Sequence, residues 1–153
     1  MRKKTMIVAI SVFLLDFVSK FFIFKFLPLD TKKFIINDFF AIYPIRNYGA
    51  AFSLFNDSNL LLITISVIIL IYLLVLINKQ KDTLFNYLSY GLLIGGLLGN
   101  LFDRLVFKYV RDFISFTFFD YEFAIFNVAD MAICIGVILI ILYSFIKEKK
   151  RWD

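Results

Sequence analysis

The sequence contains no histidine and a single cysteine, Cys134, among its 153 residues. The absence of histidine excludes Ser-His-Asp triads, Cys-His dyads and metal sites that use imidazole ligands. One cysteine cannot form a disulfide within the chain. The side chains that remain for chemistry are those of Asp, Glu, Ser, Thr, Lys, Tyr and Asn, and we expect neither a metal site nor a bound cofactor.

Charged residues are also scarce. They make up 19% of the chain, whereas hydrophobic residues make up 61%, 21 residues are Phe and the mean hydropathy is +0.85. A soluble domain has about 25% charged and about 45–50% apolar residues. A chain this short leaves much of its surface exposed, so it cannot hide that many apolar side chains from water. The composition therefore predicts a protein embedded in lipid.

Four segments are long and apolar enough to cross a bilayer, which requires about 20 residues each. They are residues 6–27, 60–77, 84–102 and 123–146, approximately. The first segment contains Asp16 and Lys20 and has no small-residue cleavage site, which favours an uncleaved span over a signal peptide. We therefore predict an all-α membrane protein with four transmembrane helices, forming one membrane-embedded domain over residues 1–153.

The distribution of basic residues predicts the orientation of these spans. Lys and Arg are concentrated in residues 2–4, 78–83 and 147–151, whereas the connections 28–59 and 103–122 contain similar numbers of acids and bases. Because loops rich in Lys and Arg stay in the cytoplasm, both termini are predicted to be cytoplasmic and the two long connections extracytoplasmic. The net charge of +5 then reflects topology and attraction to anionic lipid. We expect no nucleic-acid partner.

Part of the first long connection has the composition of β-structure. Residues 34–55 are rich in aromatic and β-branched side chains, which favour strands. Aromatic side chains are also favoured where the membrane meets water. We predict a small extracytoplasmic β-rich segment between spans one and two.

Span one carries two ionisable residues where lipid would not tolerate a lone charge. Asp16 and Lys20 are four residues apart and share a helix face, so they can neutralise each other. We interpret them as a pair that locks span one against its neighbours, in preference to a direct role in chemistry. Gly91, Gly95 and Gly99 recur every four residues in span three, a spacing that favours close helix packing.

Further acids gather near the predicted outer face of the membrane. Asn100 and Asp103 end span three, and Asn127 and Asp130 open span four. The two members of each pair are three residues apart and share a helix face. Asp112 lies in the connection between these spans. The topology therefore places three carboxylates at one level of one membrane face.

Two carboxylates held close together in a desolvated pocket cannot both ionise, so one retains a proton and the other acts as a base. Such a pair can activate water against an amide bond, as in aspartic proteases. The residues leave other interpretations open, because these acids could pair with Arg104 and Arg111 or bind a transported cation. Asp103 and Asp112 each stand beside an Arg, so spacing alone does not choose the partner of Asp130.

Five motifs, in order along almost the whole chain, resemble those of the signal peptidase II family. They are residues 16–20 (DFVSK), 47–53 (NYGAAFS), 95–104 (GGLLGNLFDR), 110–113 (VRDF) and 126–130 (FNVAD). The departures are mild: Phe17 stands where the family often has Gln, and Arg111 where a second Val is common. Neither departure involves a proposed catalytic atom.

The resemblance implies an aspartyl endopeptidase that removes signal peptides from diacylglyceryl-modified bacterial prolipoproteins, cutting on the amino side of the lipidated Cys. It also implies a multi-pass protein of the bacterial cytoplasmic (inner) membrane with its active site toward the outer leaflet. The expected ligands are the diacylglyceryl-prolipoprotein substrate, membrane lipid and lipopeptide inhibitors of the globomycin type. We expect a monomer.

Carried over position by position, the resemblance assigns the catalytic dyad to Asp112 and Asp130. The residues that it assigns to substrate binding or to support of the site are Asp16, Lys20, Asn47, Gly49, Asn100, Asp103, Arg104, Asn127 and Ala129.

Two other classes use the same acids. A small four-span ion or solute transporter subunit could employ the buried Asp residues, and a structural or assembly protein could simply pair them with cations. A transporter would be expected to show inverted repeats and broken helices near the midplane. The two Asn-x-x-Asp segments instead lie toward the outer leaflet in the predicted topology.

Overall fold

The structure is a computed structural model that describes residues 1–49, 59–119 and 121–152, with side chains through residue 146. Within these ranges, four helices are long and apolar enough to cross a membrane, which confirms the four predicted spans. They are α1 (Arg2–Phe26), α2 (Asn59–Leu76), α3 (Leu84–Val106) and α4 (Val128–Trp152), and a short 3₁₀ turn (Ile77–Lys79) extends α2. The predicted start of span four at residue 123 is wrong, because α4 begins five residues later.

A four-stranded antiparallel sheet joins the two long connections. Strands β1 (Lys33–Ile36) and β2 (Phe40–Asn47) come from the first connection, and β3 (Val110–Phe118) and β4 (Tyr121–Glu122) come from the second. Their order in the sheet is β1-β2-β3-β4. The all-α prediction, with strands only between spans one and two, is therefore wrong for the second connection. Within the predicted β-rich segment, residues 50–55 lie outside the described residues.

Strand β3 explains both errors of the prediction. Its sequence, VRDFISFTF, is rich in β-branched and aromatic residues, which suit a pleated surface. Phe126 pairs with Ile114 of this strand, with N–H···O distances of 2.8 and 3.1 Å between their backbones. The apolar residues just before α4 thus satisfy their backbone groups against β3 and leave the helix to begin at Val128.

Helix α3 forms the centre of the bundle. It is the most buried of the four spans, and it packs against α1 on one side and α4 on the other. The predicted close packing at its glycines is confirmed. A Cβ atom at Gly95 would lie 2.6 Å from the backbone oxygen of Ala9, and one at Gly99 would lie 2.5 Å from Oδ2 of Asp16. Larger side chains at these positions would push α1 away from α3.

The N-terminus and the far end of α4 lie at the end of the bundle opposite the sheet. The amino group of Met1 is 2.9 Å from Oδ2 of Asp82, which belongs to the connection between α2 and α3. Helix α4 starts beside β3 and runs away from it over 25 residues. The two long connections therefore meet at one end of the bundle, and this end contains the polar groups described next.

Candidate active site

Asp112 lies on strand β3 and is almost completely buried. The pairing of β3 with β2 places Asp112 opposite Ile45 and brings it close to Asn47 at the end of β2. Oδ2 of Asp112 accepts a hydrogen bond from Nδ2 of Asn47 at 2.8 Å. The backbone N–H of Gly49 donates to Oδ1 of Asn47 at 3.0 Å, which fixes the orientation of that amide. Asp112 is thus positioned by the sheet.

Asp130 lies in the first turn of α4, where it takes part in a reciprocal cap with Asn127. The backbone N–H of Asp130 donates to Oδ1 of Asn127 at 2.9 Å, and the backbone N–H of Asn127 donates to Oδ2 of Asp130 at 3.1 Å. This is the capping-box arrangement, here with Asn and Asp. A helix starting at residue 123 would have placed Asp130 two turns deep, whereas the cap holds it at the helix end.

Two asparagines connect the predicted dyad. Nδ2 of Asn127 donates to Oδ1 of Asp112 at 2.6 Å, so Asn127 binds both acids. Nδ2 of Asn100 on α3 donates to Oδ1 of Asp130 at 2.7 Å, and its Oδ1 accepts from Asn127 at 3.1 Å. The carboxyl groups of Asp112 and Asp130 are therefore neighbours within one hydrogen-bond network.

The predicted dyad differs from most buried acids in its lack of a paired cation within the described ranges. Among the residues that the structure describes, neither Asp112 nor Asp130 forms an ion pair. Burial raises the pKa of Asp112 to about 7, and the nearby negative charge of Asp130 adds to the effect. Two such groups can share one proton near neutral pH, which is the requirement for general acid–base chemistry.

The pair borders a cavity of about 1070 Å³, at least as large as typical small-molecule sites. Arg104 also lines it, and Nη2 of Arg104 lies 3.4 Å from the carbonyl oxygen of Gly49. The remaining wall includes mainly apolar side chains from the segment before α4 and from its first two turns: Phe123, Ala124, Ile125, Phe126, Met131, Ile133, Cys134 and Ile135. Acid groups thus meet an apolar wall, an arrangement suited to an amphipathic ligand.

A second group of buried charges lies behind the dyad, and we call Asp16, Lys20, Asp103 and Arg111 the paired cluster. Nη2 of Arg111 lies 2.7 Å from Oδ1 of Asp103. Nζ of Lys20 lies 2.7 Å from Asp16 Oδ2 and 3.2 Å from Asp103 Oδ2. Asp103 is not among the described residues that line the cavity. The geometry therefore separates Asp103, which pairs with cations, from Asp112.

The predicted site residues thus fall into two sets. Those around the cavity and its hydrogen-bond network are Asn47, Gly49, Asn100, Arg104, Asp112, Asn127 and Asp130. Those behind the network are Asp16, Lys20, Asp103 and Ala129, and the ion pair predicted for Asp16 and Lys20 is present.

Arg111, named above as a possible partner of these acids but left out of the predicted site residues, pairs with Asp103. Neighbouring side chains in a strand point to opposite faces, so Arg111 turns away from Asp112 and reaches Asp103. The β-branched and aromatic pattern of residues 110–118 was the signal that could have identified this strand and hence the direction of Arg111.

Comparison with known proteins agrees with this architecture. The family described as "Signal peptidase (SPase) II" matches residues 8–146. The lipoprotein signal peptidase of Clostridium tetani is 39% identical, with 88% of this chain and 87% of that protein covered. The lipoprotein signal peptidase of Klebsiella aerogenes is 41% identical, with 94% and 90% covered.

Solved structures show the same fold. A bacterial membrane enzyme determined by the in meso method at 2.3 Å resolution superposes with a TM-score of 0.86 and 34% identity, covering 97% of this chain and 91% of that one. A second, at 1.9 Å resolution, gives a TM-score of 0.80 and 36% identity, with 91% and 90% covered. Since sequence and fold agree over nearly the full length, the chain belongs to the signal peptidase II family of bacterial multi-pass membrane peptidases.

Proposed function

We propose that the protein removes signal peptides from diacylglyceryl-modified bacterial prolipoproteins, cutting on the amino side of the lipidated Cys with Asp112 and Asp130 as its catalytic dyad. The observation that carries this proposal is a pair of carboxyl groups, one buried and one partly buried, that are linked through Asn127 and border a large cavity, with no cation paired to either in the described residues. The names of the relatives support the substrate class.

In this mechanism the two carboxyl groups share one proton and titrate as a unit. Burial and the charge of Asp130 raise the pKa of Asp112 to about 7, so the pair can retain this proton near neutral pH. The ionised member removes a proton from a water molecule whose oxygen attacks the carbonyl carbon before the lipidated Cys. The protonated member donates its proton to the nitrogen as the C–N bond breaks, so the two acids exchange roles and must reset their proton.

The cavity walls suit the two chemical parts of this substrate. Asn47 and Arg104 line the cavity with polar groups that can bind a peptide backbone near the dyad. The apolar side chains of Met131 and Ile135 on α4 can contact acyl chains or the apolar signal peptide. A lipopeptide inhibitor of the globomycin type would combine the same two features and occupy the same cavity.

The proposal includes a position for the dyad at the outer leaflet of the cytoplasmic membrane. It lies at the sheet end of the bundle, opposite the N-terminus, the far end of α4 and the connection between α2 and α3, which is rich in Lys. Loops with excess Lys and Arg stay in the cytoplasm, so the sheet end faces outward. A diacylglyceryl group anchors its Cys near the membrane surface, and the peptide bond beside it would reach the dyad at that depth. The described residues of the dyad and its cavity form a continuous site within one chain, which supports the proposal of a monomeric enzyme.

The test compares three isosteric variants in cleavage of a purified lipidated precursor. Asp112→Asn and Asp130→Asn each remove one member of the dyad, and Asp103→Asn is the matched control because it changes a buried carboxylate that pairs with cations. We expect the first two variants to lose cleavage and the control to retain it. Wild-type rates in either dyad variant, or loss of cleavage in a folded Asp103→Asn enzyme alone, would overturn the assignment.

A further inference from the structure

The residue before each dyad aspartate is tethered in the same way. The backbone N–H of Ala129 donates to Oδ1 of Asp16 at 2.9 Å, and Asp130 follows directly. The backbone N–H of Arg111 donates to Oδ2 of Asp103 at 3.0 Å, and Asp112 follows directly. Two buried carboxylates, one on α1 and one on α3, thus anchor the backbone beside the two acids of the dyad.

Lys20 connects these two anchors. Its Nζ lies 2.7 Å from Oδ2 of Asp16 and 3.2 Å from Oδ2 of Asp103, and its side chain is fully buried. It also donates to Oδ1 of Asn100 at 3.1 Å, which leaves Nδ2 of that amide to bind Asp130. The ammonium group thus makes one hydrogen bond, to the amide oxygen, and two ion-pair contacts, to the carboxylates. Lys20 therefore reaches Asp130 through Asn100 alone, and it reaches the backbone beside each dyad acid through Asp16 or Asp103.

We propose that Lys20 is a positioning residue for peptide cleavage, an inference that rests on the proposed dyad. Its ammonium group holds the two anchoring carboxylates and the Asn100 amide, and so sets the separation and orientation of the carboxyl groups of Asp112 and Asp130. The acids sit on different elements, a strand and a helix, which meet at the isolated bridge of Phe126 with Ile114, so further contacts are needed to fix both acids.

A purely structural role would not require a lysine. Replacing buried ion pairs with well-packed apolar side chains is often neutral or stabilising, so apolar packing alone could hold α1 against α3. Apolar packing cannot orient an amide oxygen or hold two carboxylates at a set distance. An error of about 1 Å in the position of reacting groups can reduce the rate on the order of 100-fold. Lys20 is therefore expected to matter more for the rate than for the fold.

The charge of Lys20 also acts on the dyad. It lowers the pKa of Asp112 against the opposing effects of burial and of Asp130. The other charged groups around the pair, from the elements packed against it, are Asp16 on α1, Asp103 and Arg104 on α3, Arg46 on β2, Arg111 on β3 and Glu122 on β4. All of these remain when Lys20 loses its charge, so the dyad would then bind its proton more tightly and stay active to higher pH.

The experiment measures kcat and KM for a lipidated precursor between about pH 5 and pH 9. Lys20→Met removes the ammonium, and Lys25→Met is the matched control because Lys25 is an exposed cation on the same helix that contacts the rings of Phe21 and Phe26. We expect Lys20→Met to lower kcat by about 10- to 100-fold with KM within about threefold, and to shift the alkaline limb to higher pH. Lys25→Met should match the wild type.

A second variant separates positioning from charge balance. Lys20→Met leaves two buried carboxylates facing Arg111, whereas Asp16→Asn combined with Lys20→Met restores the balance and keeps an oxygen for the Ala129 N–H. The double variant should fold with the same loss in kcat. A folded single or double variant with wild-type kcat and pH profile would overturn the role of Lys20. Asp112→Asn in the same assay tests the dyad, and wild-type activity of this variant would contradict the proposed function. If Asp112→Asn is inactive while Lys20→Met is fully active, only the positioning role of Lys20 is contradicted.

Discussion

Two groups of buried acids lie at the sheet end of the bundle, and their surroundings differ in one respect. Asp16 and Asp103 in the paired cluster contact the cations Lys20 and Arg111 at 2.7–3.2 Å. Asp112 and Asp130 accept hydrogen bonds from amide side chains and a backbone N–H. All four are aspartates, so residue type does not distinguish the two groups, and Asp112 is as deeply buried as Asp16 and Asp103, whereas Asp130 is partly buried beside the cavity.

The counter-charge decides what each group can do. A buried carboxylate beside a cation is held ionised, and it then serves as a fixed anchor for backbone donors. Neutral amide donors orient a carboxylate but do not cancel the repulsion between two of them, so the pair retains a proton that can be transferred. The charges of the paired cluster cancel, whereas Asp112 and Asp130 lie next to it without a paired cation among the described residues. Asp16 and Asp103 of the paired cluster bind the backbone N–H groups of the residues just before these two acids.

The largest effect is expected from neutralising one member of the proposed dyad. Asp130→Asn should lower kcat for a lipidated precursor by at least about 1000-fold, because an amide can neither accept nor return the proton. Asp112→Asn should give a loss of similar size, and the combined variant should be little worse than either, since the two acids act as a unit. Losses that multiply would show that they act independently. Rates from purified enzyme at saturating substrate check this.

A large effect of a different kind is expected in the paired cluster. Asp103→Asn leaves Lys20 and Arg111 with one carboxylate fewer, and breaking a buried pair from one side destabilises by about 3–5 kcal/mol. The new amide still offers an oxygen to the Arg111 N–H, so the folded fraction should cleave within about tenfold of the wild type. Thermal unfolding in detergent and cleavage by the folded fraction provide the two readouts. Unchanged stability of Asp103→Asn would contradict the inference that the paired cluster depends on its balance of charges.

The pH dependence of stability sharpens the contrast further. The pKa of Asp112 rises from 3.8 to about 7 in the folded protein, so the folded state binds a proton more tightly than the unfolded chain. The stabilising effect of this proton is complete below about pH 4 and is lost as the pH rises to about 7, a decrease of up to about 4 kcal/mol. Asp112→Asn removes this loss of stability at high pH, because the amide does not ionise. The amide is, however, a poorer acceptor than the carboxyl group for the hydrogen bonds from Asn47 and Asn127.

We therefore expect the unfolding midpoint of Asp112→Asn to exceed that of the wild type by about 2–4 °C at about pH 8, with no advantage at about pH 4. Scans of both proteins at the two pH values test this. An advantage that is equal at both values would mean that the carboxyl group does not change its protonation over this range.

The smallest effect is expected at an exposed pair near the cavity. Nζ of Lys32 lies 2.7 Å from Oε1 of Glu122 on β4, and this contact lowers the pKa of Glu122. Water screens this pair, so Lys32→Met should change stability by less than about 1 kcal/mol. The midpoint of unfolding at low and high salt provides the measurement. A loss as large as that of Asp103→Asn would mean that burial has little influence on the strength of these pairs.

The helices and the set of polar residues could be predicted from the sequence, because lipid imposes simple requirements. Apolar length identifies the spans, and ionisable residues at depth stand out from their surroundings. Asp16 and Lys20 pair as their spacing indicates, since that contact is local to one helix. The glycine spacing in α3 likewise predicts close packing without knowledge of the partner helix.

Long-range pairing is what the sequence could not provide. Asp103 and Asp112 each stand beside an Arg, and only the pairing of β3 with β2 shows which acid reaches Asn47 and the cavity. The residues just before α4 are apolar enough to continue a span, yet the bonds between Phe126 and β3 prevent this. The signal peptidase II resemblance chose Asp112 where spacing alone could not.

The link between the two long connections has a consequence during synthesis. Asn47 and Asp112 are 65 positions apart, and Asp130 belongs to the last helix along the chain. A nascent chain whose fourth helix is still in the ribosome has neither the helix cap nor the second acid, so it has no assembled pair of carboxyl groups. With the proposed dyad, catalytic competence arises only when all four helices are inserted, so an incomplete chain would be unable to cut neighbouring polypeptides in the same membrane.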